Sequence, residues 1–145
     1  MTLQGYEHLP GLRLDPGHIA IDRAEATDLA AVLGTASPRT EQLHPLYAFI
    51  ATQRGIGVSV PGLCRLVGRD LTGAIMGGID LELFADLAPD TTYSVEGEIV
   101  DFVRKTSSSL GEFDLLTYRE WLAAPTGEVV ARTTNTFIFP LGGER

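Results

Sequence analysis

The sequence predicts an α+β domain in which helices come first and a long antiparallel sheet follows, wrapped around one apolar helix. Three observations carry this. Apolar residues recur at helical spacing through "IDRAEATDLAAVLG" and again through "PLYAFIATQRG". From residue 74 onward the apolar period changes to two. The second half then divides into four extended segments, separated by polar or Pro–Gly turns such as "APTG" at 124–127. Helices grouped ahead of hairpin strands are the signature of an α+β fold.

Taken in order, residues 1–17 hold two prolines and several glycines and read as an irregular lead-in. A short strand is expected at 18–21 and a helix at 23–33. Asp22 and Glu25 have capping-box spacing, Ala26, Leu29, Ala30 and Leu33 follow at helical intervals, and Gly34 offers a left-handed stop. A second helix is expected from Pro45, weakened by Gly55 and Gly57. A third follows Ser59, which can cap it, with Pro61 in the first turn. The strands begin with Ile79, Leu81 and Leu83 alternating against Asp80 and Glu82. In the next, Tyr93, Val95 and Ile99 share a face, and the phase shifts at Val100 and Phe102. A shift of that kind signals a bulge or burial on both faces.

The chain has 145 residues, 44% of them hydrophobic, which suits one domain spanning 1–145 with a single core. A net charge of -8 argues against nucleic acid as a partner and against an acidic membrane surface. No apolar run approaches bilayer length, and residues 1–11 lack the pattern of a secretion signal. The lone cysteine, Cys64, makes no internal disulfide and reads as a small core residue. With three histidines and one cysteine, no metal site is expected, and no motif calls for a cofactor. These features describe a cytoplasmic domain.

The helix "IDRAEATDLAAVLG", the loop "TASPRT", the segment "GGIDLELFADLAPDTTYSVEGEIVDF" and the closing "GEVVARTTNTFIF" resemble the MaoC-like hotdog proteins. That family includes the (R)-specific enoyl-thioester hydratases and the 3-hydroxyacyl-thioester dehydratases. The resemblance covers roughly residues 18–140. It implies a hotdog fold, an acyl thioester of CoA or of an acyl carrier protein as ligand, and a place in lipid or secondary-metabolite chemistry.

The active hydratases of this family carry Gly-Asp-x-Asn-Pro-x-His. The aspartate and histidine hold a water or hydroxyl between them and act as base and acid across the carbons next to the thioester. Here the matching residues read Gly34-Thr35-Ala36-Ser37-Pro38-Arg39-Thr40. The Gly and Pro are kept, while Thr35 and Thr40 replace the titrating pair. A threonine hydroxyl is no base near neutral pH without another base beside it. The resemblance therefore implies a degenerate site, like that of the family's non-catalytic halves.

His44 is the candidate to replace the lost proton carrier, with Tyr47 or Glu41 orienting it. Gln53 is a candidate hydrogen-bonding group in the same cleft, and Gly77 and Gly78 could admit a ligand close to the backbone, although a bulge explains such glycines equally. Arg65, Arg69, Arg104 and Lys105 would suit a phosphopantetheine arm if they gathered. Three functions remain open: a dehydratase-type enzyme, a non-catalytic subunit shaping the acyl tunnel of a heterodimer with an intact MaoC-like partner, and a hotdog thioesterase. Long edge strands require a homodimer or heterodimer in each case.

Overall fold

The structure is a computed structural model and describes residues 5–32 and 45–141. Its elements are β1 (Arg13–Ala20), α1 (Arg23–Val32), α2 (Leu46–Gly55), α3 (Val60–Leu66), β2 (Ile75–Leu83), β3 (Thr92–Ser107), β4 (Gly111–Ala123) and β5 (Val129–Pro140). The strands form one antiparallel sheet in the order β1-β3-β4-β5-β2. The expected α+β architecture, a long sheet curled around a central helix, is the one observed.

The central helix is α2. Ala48 and Ala51 are fully buried against the sheet, and such small side chains let the helix approach closely. Glycine allows the approach to continue at its C-terminal end. A Cβ on Gly17 of β1 would overlap the Gly55 carbonyl, and one on Gly55 would press into Ile19 and Val95. The Gly57 N–H then donates to the Asp15 carbonyl at 2.8 Å, fastening the helix exit to β1. Gly55 and Gly57, which weaken the helix in isolation, are what its packing requires.

Local chemistry explains most boundaries. The Asp22 carboxylate accepts from the Ala24 N–H at 3.0 Å at the start of α1. Ser59 caps α3 through the Gly62 N–H, with proline in the first turn as the sequence suggests. The phase shift in β3 is a bulge between Ile99 and Asp101. The "APTG" turn closes with Gly127 at φ 93°, a conformation glycine adopts without strain.

The lead-in reading needs correction. β1 begins at Arg13, and residues 13–17 belong to the sheet. A bulge between Leu14 and Gly17, around Pro16, breaks the alternation that would have announced a strand. Residues ahead of it are also tied in. Leu9 is fully buried. The Gly11 N–H donates to the Ile99 carbonyl at 2.8 Å, and the Ile99 N–H to the Leu12 carbonyl at 2.9 Å. The lead-in thus continues the pairing of β3 past Arg13, at Ile99 beside the bulge.

Candidate functional site

On β4, Asp114, Leu116, Tyr118, Glu120 and Leu122 all point into the concave face under α2. On β5, Ala131, Thr133, Asn135, Phe137 and Phe139 do the same. Registry places Tyr118 opposite Asn135 and Glu120 opposite Thr133. The result is a band of polar side chains across the middle of the core. It separates an apolar cluster around Phe102, Leu116 and Phe139 from another around Tyr93, Leu122 and Ala131.

Helix α2 supplies the roof. Gln53 Nε2 donates to Glu120 Oε1 at 2.8 Å, and the Tyr118 hydroxyl donates to Gln53 Oε1 at 3.3 Å. Thr52 lies 3.5 Å from Thr133 between hydroxyl oxygens, and its own hydroxyl also donates to the Phe49 carbonyl. Asn135 Nδ2 donates to Thr133 Oγ1 at 3.3 Å. Gly97 of β3 faces Glu120 across the strand pair, and a Cβ there would crowd the Glu120 Cγ, so the glycine makes room for this carboxyl.

Glu120 is 1% exposed. Burial raises its pKa from 4.5 to about 8, outweighing a hydrogen bond from Thr52 that lowers it. The group is therefore largely a neutral acid at pH 7. The Tyr118 hydroxyl is pushed far up by burial and by the neighbouring Glu120, and it stays protonated. Asn135 Oδ1 is fully buried and has no hydrogen-bond partner among the described residues.

Two other polar groupings organise the surroundings. The Tyr47 hydroxyl donates to Glu25 Oε1 at 3.0 Å, and Arg54 pairs with the same carboxylate. Glu25, which capping-box spacing would direct to its own helix, thus ties α1 to α2. At the other end of the sheet, buried Asp114 receives both Arg69 and Arg104. Burial alone would raise the Asp114 pKa, but the two guanidinium groups overcome it and hold the value below the ordinary range. Arg69 also lies over the rings of Tyr6 and Phe102.

Of the residues singled out from sequence, Thr35, Thr40, Glu41 and His44 lie outside the described residues. Tyr47 is buried and bonded to Glu25. Gln53 joins the polar band. Gly77 and Gly78 lie in β2 at a bulge between Met76 and Gly78, where a Cβ on Gly77 would crowd Thr136 Oγ1 of β5. Arg69 and Arg104 are both engaged by Asp114. Sequence reasoning missed Glu120, Thr133 and Asn135. The signal was present, since Glu120 stands in register with Leu116 and Leu122, and Asn135 with Ala131 and Phe137.

No family model and no curated protein matches the sequence. Solved structures do match. The chain superposes on the ChsH1-ChsH2 complex from Mycobacterium tuberculosis with a TM-score of 0.66 and 15% identity, covering 89% of both chains. It superposes on the HadBC (3R-hydroxyacyl-ACP dehydratase) complex from the same organism with a TM-score of 0.68 and 9% identity, covering 90% of this chain and 96% of that one. A MaoC-like dehydratase from Rhodospirillum rubrum gives a TM-score of 0.51 at 22% identity, covering 90% and 91%. The chain carries the hotdog fold in the form that these MaoC-like and hydroxyacyl-thioester dehydratases share.

Proposed function

We propose that the chain is a dehydratase-type hotdog protein that binds or acts on an acyl thioester of CoA or of an acyl carrier protein. The observation that supports this best is the fold likeness over nine-tenths of the chain to the HadBC dehydratase complex. Thr35 and Thr40 at the places of the family's aspartate and histidine bear on how the chain would do this. They favour a second reading, in which the chain is the non-catalytic half of a heterodimer and an intact MaoC-like subunit supplies the acid and base. That two of the superposed structures are themselves complexes, ChsH1-ChsH2 and HadBC, agrees with it. Among the described residues no helix is long and apolar enough to cross a membrane.

Two measurements on the purified chain test the proposal. Titration with straight-chain acyl-CoA and acyl-pantetheine thioesters should show saturable binding, and its absence across the series would overturn the thioester reading. Hydration of crotonyl-CoA by the chain alone should be weak or absent, since acid–base groups contribute about 100- to 10,000-fold each. A turnover on the order of 10 per second, ordinary for an enzyme, would overturn the degenerate-site reading.

A further inference from the structure

The charge of this chain is unevenly placed. Residues 70–103 hold eight carboxylates and no lysine, arginine or histidine, while the rest of the chain balances eleven acids with eleven bases. The whole net charge of -8 therefore lies in that one stretch. The stretch contains β2, which among the described residues pairs with β5 on one side and is free on the other. The bulge between Met76 and Gly78 leaves Gly78–Leu83 in regular register with β5. Along that part, alternate backbone N–H and C=O groups point away from the sheet.

The two faces of this edge differ. Registry sets Ile79, Leu81 and Leu83 opposite Asn135, Thr133 and Ala131 on the concave face. There Ile79 is 43% exposed and Leu83 37%. Asp80 and Glu82 stand opposite Thr134 and Arg132 on the outer face. Arg132 holds Glu82 and also lies over the Phe84 ring. Asp80 is exposed and makes no ion pair among the described residues.

We propose that the free edge of β2 docks the edge strand of a different chain, one that alternates apolar residues with lysine or arginine. The inference deepens the heterodimer reading above and rests on it for the kind of partner. Apolar side chains of such a strand cover Ile79 and Leu83, and its bases meet Asp80 and Glu82 on the outer face. A second copy covers the same apolar face at a cost. Because residues 70–103 contain no base, no register of β2 against another β2 sets a cation opposite Asp80 or Glu82. Antiparallel registers centred on Asp80 or Leu81 set carboxylate directly against carboxylate, which is destabilising. Arg132 does not relieve this, since it stands one strand behind the edge and is engaged by its own Glu82. Two copies that each carry -8 also repel at longer range.

The test uses the chain itself with Asp80→Lys as the basic partner, a change that leaves Glu82 on Arg132. Isotopically labelled unaltered chain is mixed with the variant, and native mass spectrometry counts the three dimers. The mixed dimer should exceed its statistical half share and be about fivefold tighter than the unaltered homodimer, the worth of exchanging a like-charge pair for an opposite one. Raising salt from about 50 to about 500 mM should weaken the mixed dimer and strengthen the unaltered one. Asp80→Asn should strengthen self-association. Asp80→Arg repeats the mixing if the lysine variant does not fold. A mixed dimer at its statistical share would overturn the proposal. Self-association indifferent to salt and to Asp80→Asn would overturn it too, and assign the edge to a second copy. No dimer in any mixture would remove the edge as a docking surface. None of these measurements uses a thioester, so their failure leaves the acyl-thioester reading standing, and failed thioester binding leaves the edge standing.

Discussion

Gln53 Nε2 donates to Glu120 Oε1 at 2.8 Å, joining the half-buried end of the central helix to a buried carboxyl on the strand beneath it. Gln53→Leu removes the donor and leaves the carboxyl oxygen unpaired. It should cost about 1–3 kcal/mol in urea unfolding, the penalty of an unsatisfied buried polar group. The Gln53→Leu/Glu120→Leu double variant should recover part of that loss, because the Glu120 carboxyl is no longer stranded while the Tyr118 hydroxyl still lacks its Gln53 acceptor. Additive losses in the cycle would show that the two side chains do not act as a pair.

The same carboxyl makes stability depend on pH. Unfolded, Glu120 ionises near 4.5, and folded it keeps its proton to about 8. The folded state holds the extra proton between these values. The stabilisation is therefore complete below about 4.5 and is lost as pH rises through about 8. Around it stand Tyr118, which remains neutral, and the uncharged Gln53, Thr52 and Thr133. Thermal melts across this window should fall with pH in the unaltered protein and fall less in Glu120→Gln. Parallel slopes would show that Glu120 does not carry the effect.

Asp114 acts with the opposite sign. Its folded pKa lies below the ordinary value of 3.8, so its contribution is present above that value and is lost as acid drives the pH through the lower one. Asp114→Asn removes the shared anchor of Arg69 and Arg104. Because both arginines are partly exposed and can reach water, the cost should be about 2 kcal/mol, below that of a fully buried pair. The variant should also melt with less dependence on pH at the acid end, and an unchanged acid limb would assign that limb to other carboxylates.

Among the described residues, strand β2 pairs only with β5 and exposes Ile75, Met76, Ile79 and Leu83, with Phe84 just beyond. An apolar strand at a sheet edge needs cover. Native mass spectrometry at micromolar concentration should find dimers, and Ile79→Lys should shift them at least about tenfold toward monomer, since an edge lysine blocks strand pairing. A purely monomeric spectrum of the unaltered chain would count against self-association and leave a different chain as the cover.

If the chain is itself an enzyme, we propose that His44 carries the proton transfer, since an imidazole ordinarily exchanges a proton near neutrality. In the assembly that turns over substrate, His44→Gln keeps size and hydrogen bonding but cannot titrate. Activity should collapse with thermal stability unchanged. Undiminished activity would remove His44 from the chemistry and assign it to a partner subunit.

The sequence by itself determined the α+β class, the order of elements, the Ser59 cap, the phase shift at Val100 and the strand-rich second half, and strand pairing then resolved that shift as a bulge. Each of these is set by short-range rules of periodicity, capping and turn chemistry, which neighbouring residues carry. The reading of Thr35 and Thr40 as replacements for a titrating pair rests on the family resemblance, and both positions lie outside the described residues. What only the tertiary structure decided depends on strand registry and on which residues lie across from one another. Local pattern hid the first half of β1, because Pro16 and its bulge break alternation while pairing with β3 preserves the strand. Glu120 on one stretch of chain and Thr133 and Asn135 on another looked like ordinary polar residues. Registry of β4 with β5 and the descent of α2 onto the sheet bring them together. Burial then changes their chemistry, since the same glutamate that would ionise freely in solution becomes a proton-holding acid once it is removed from water.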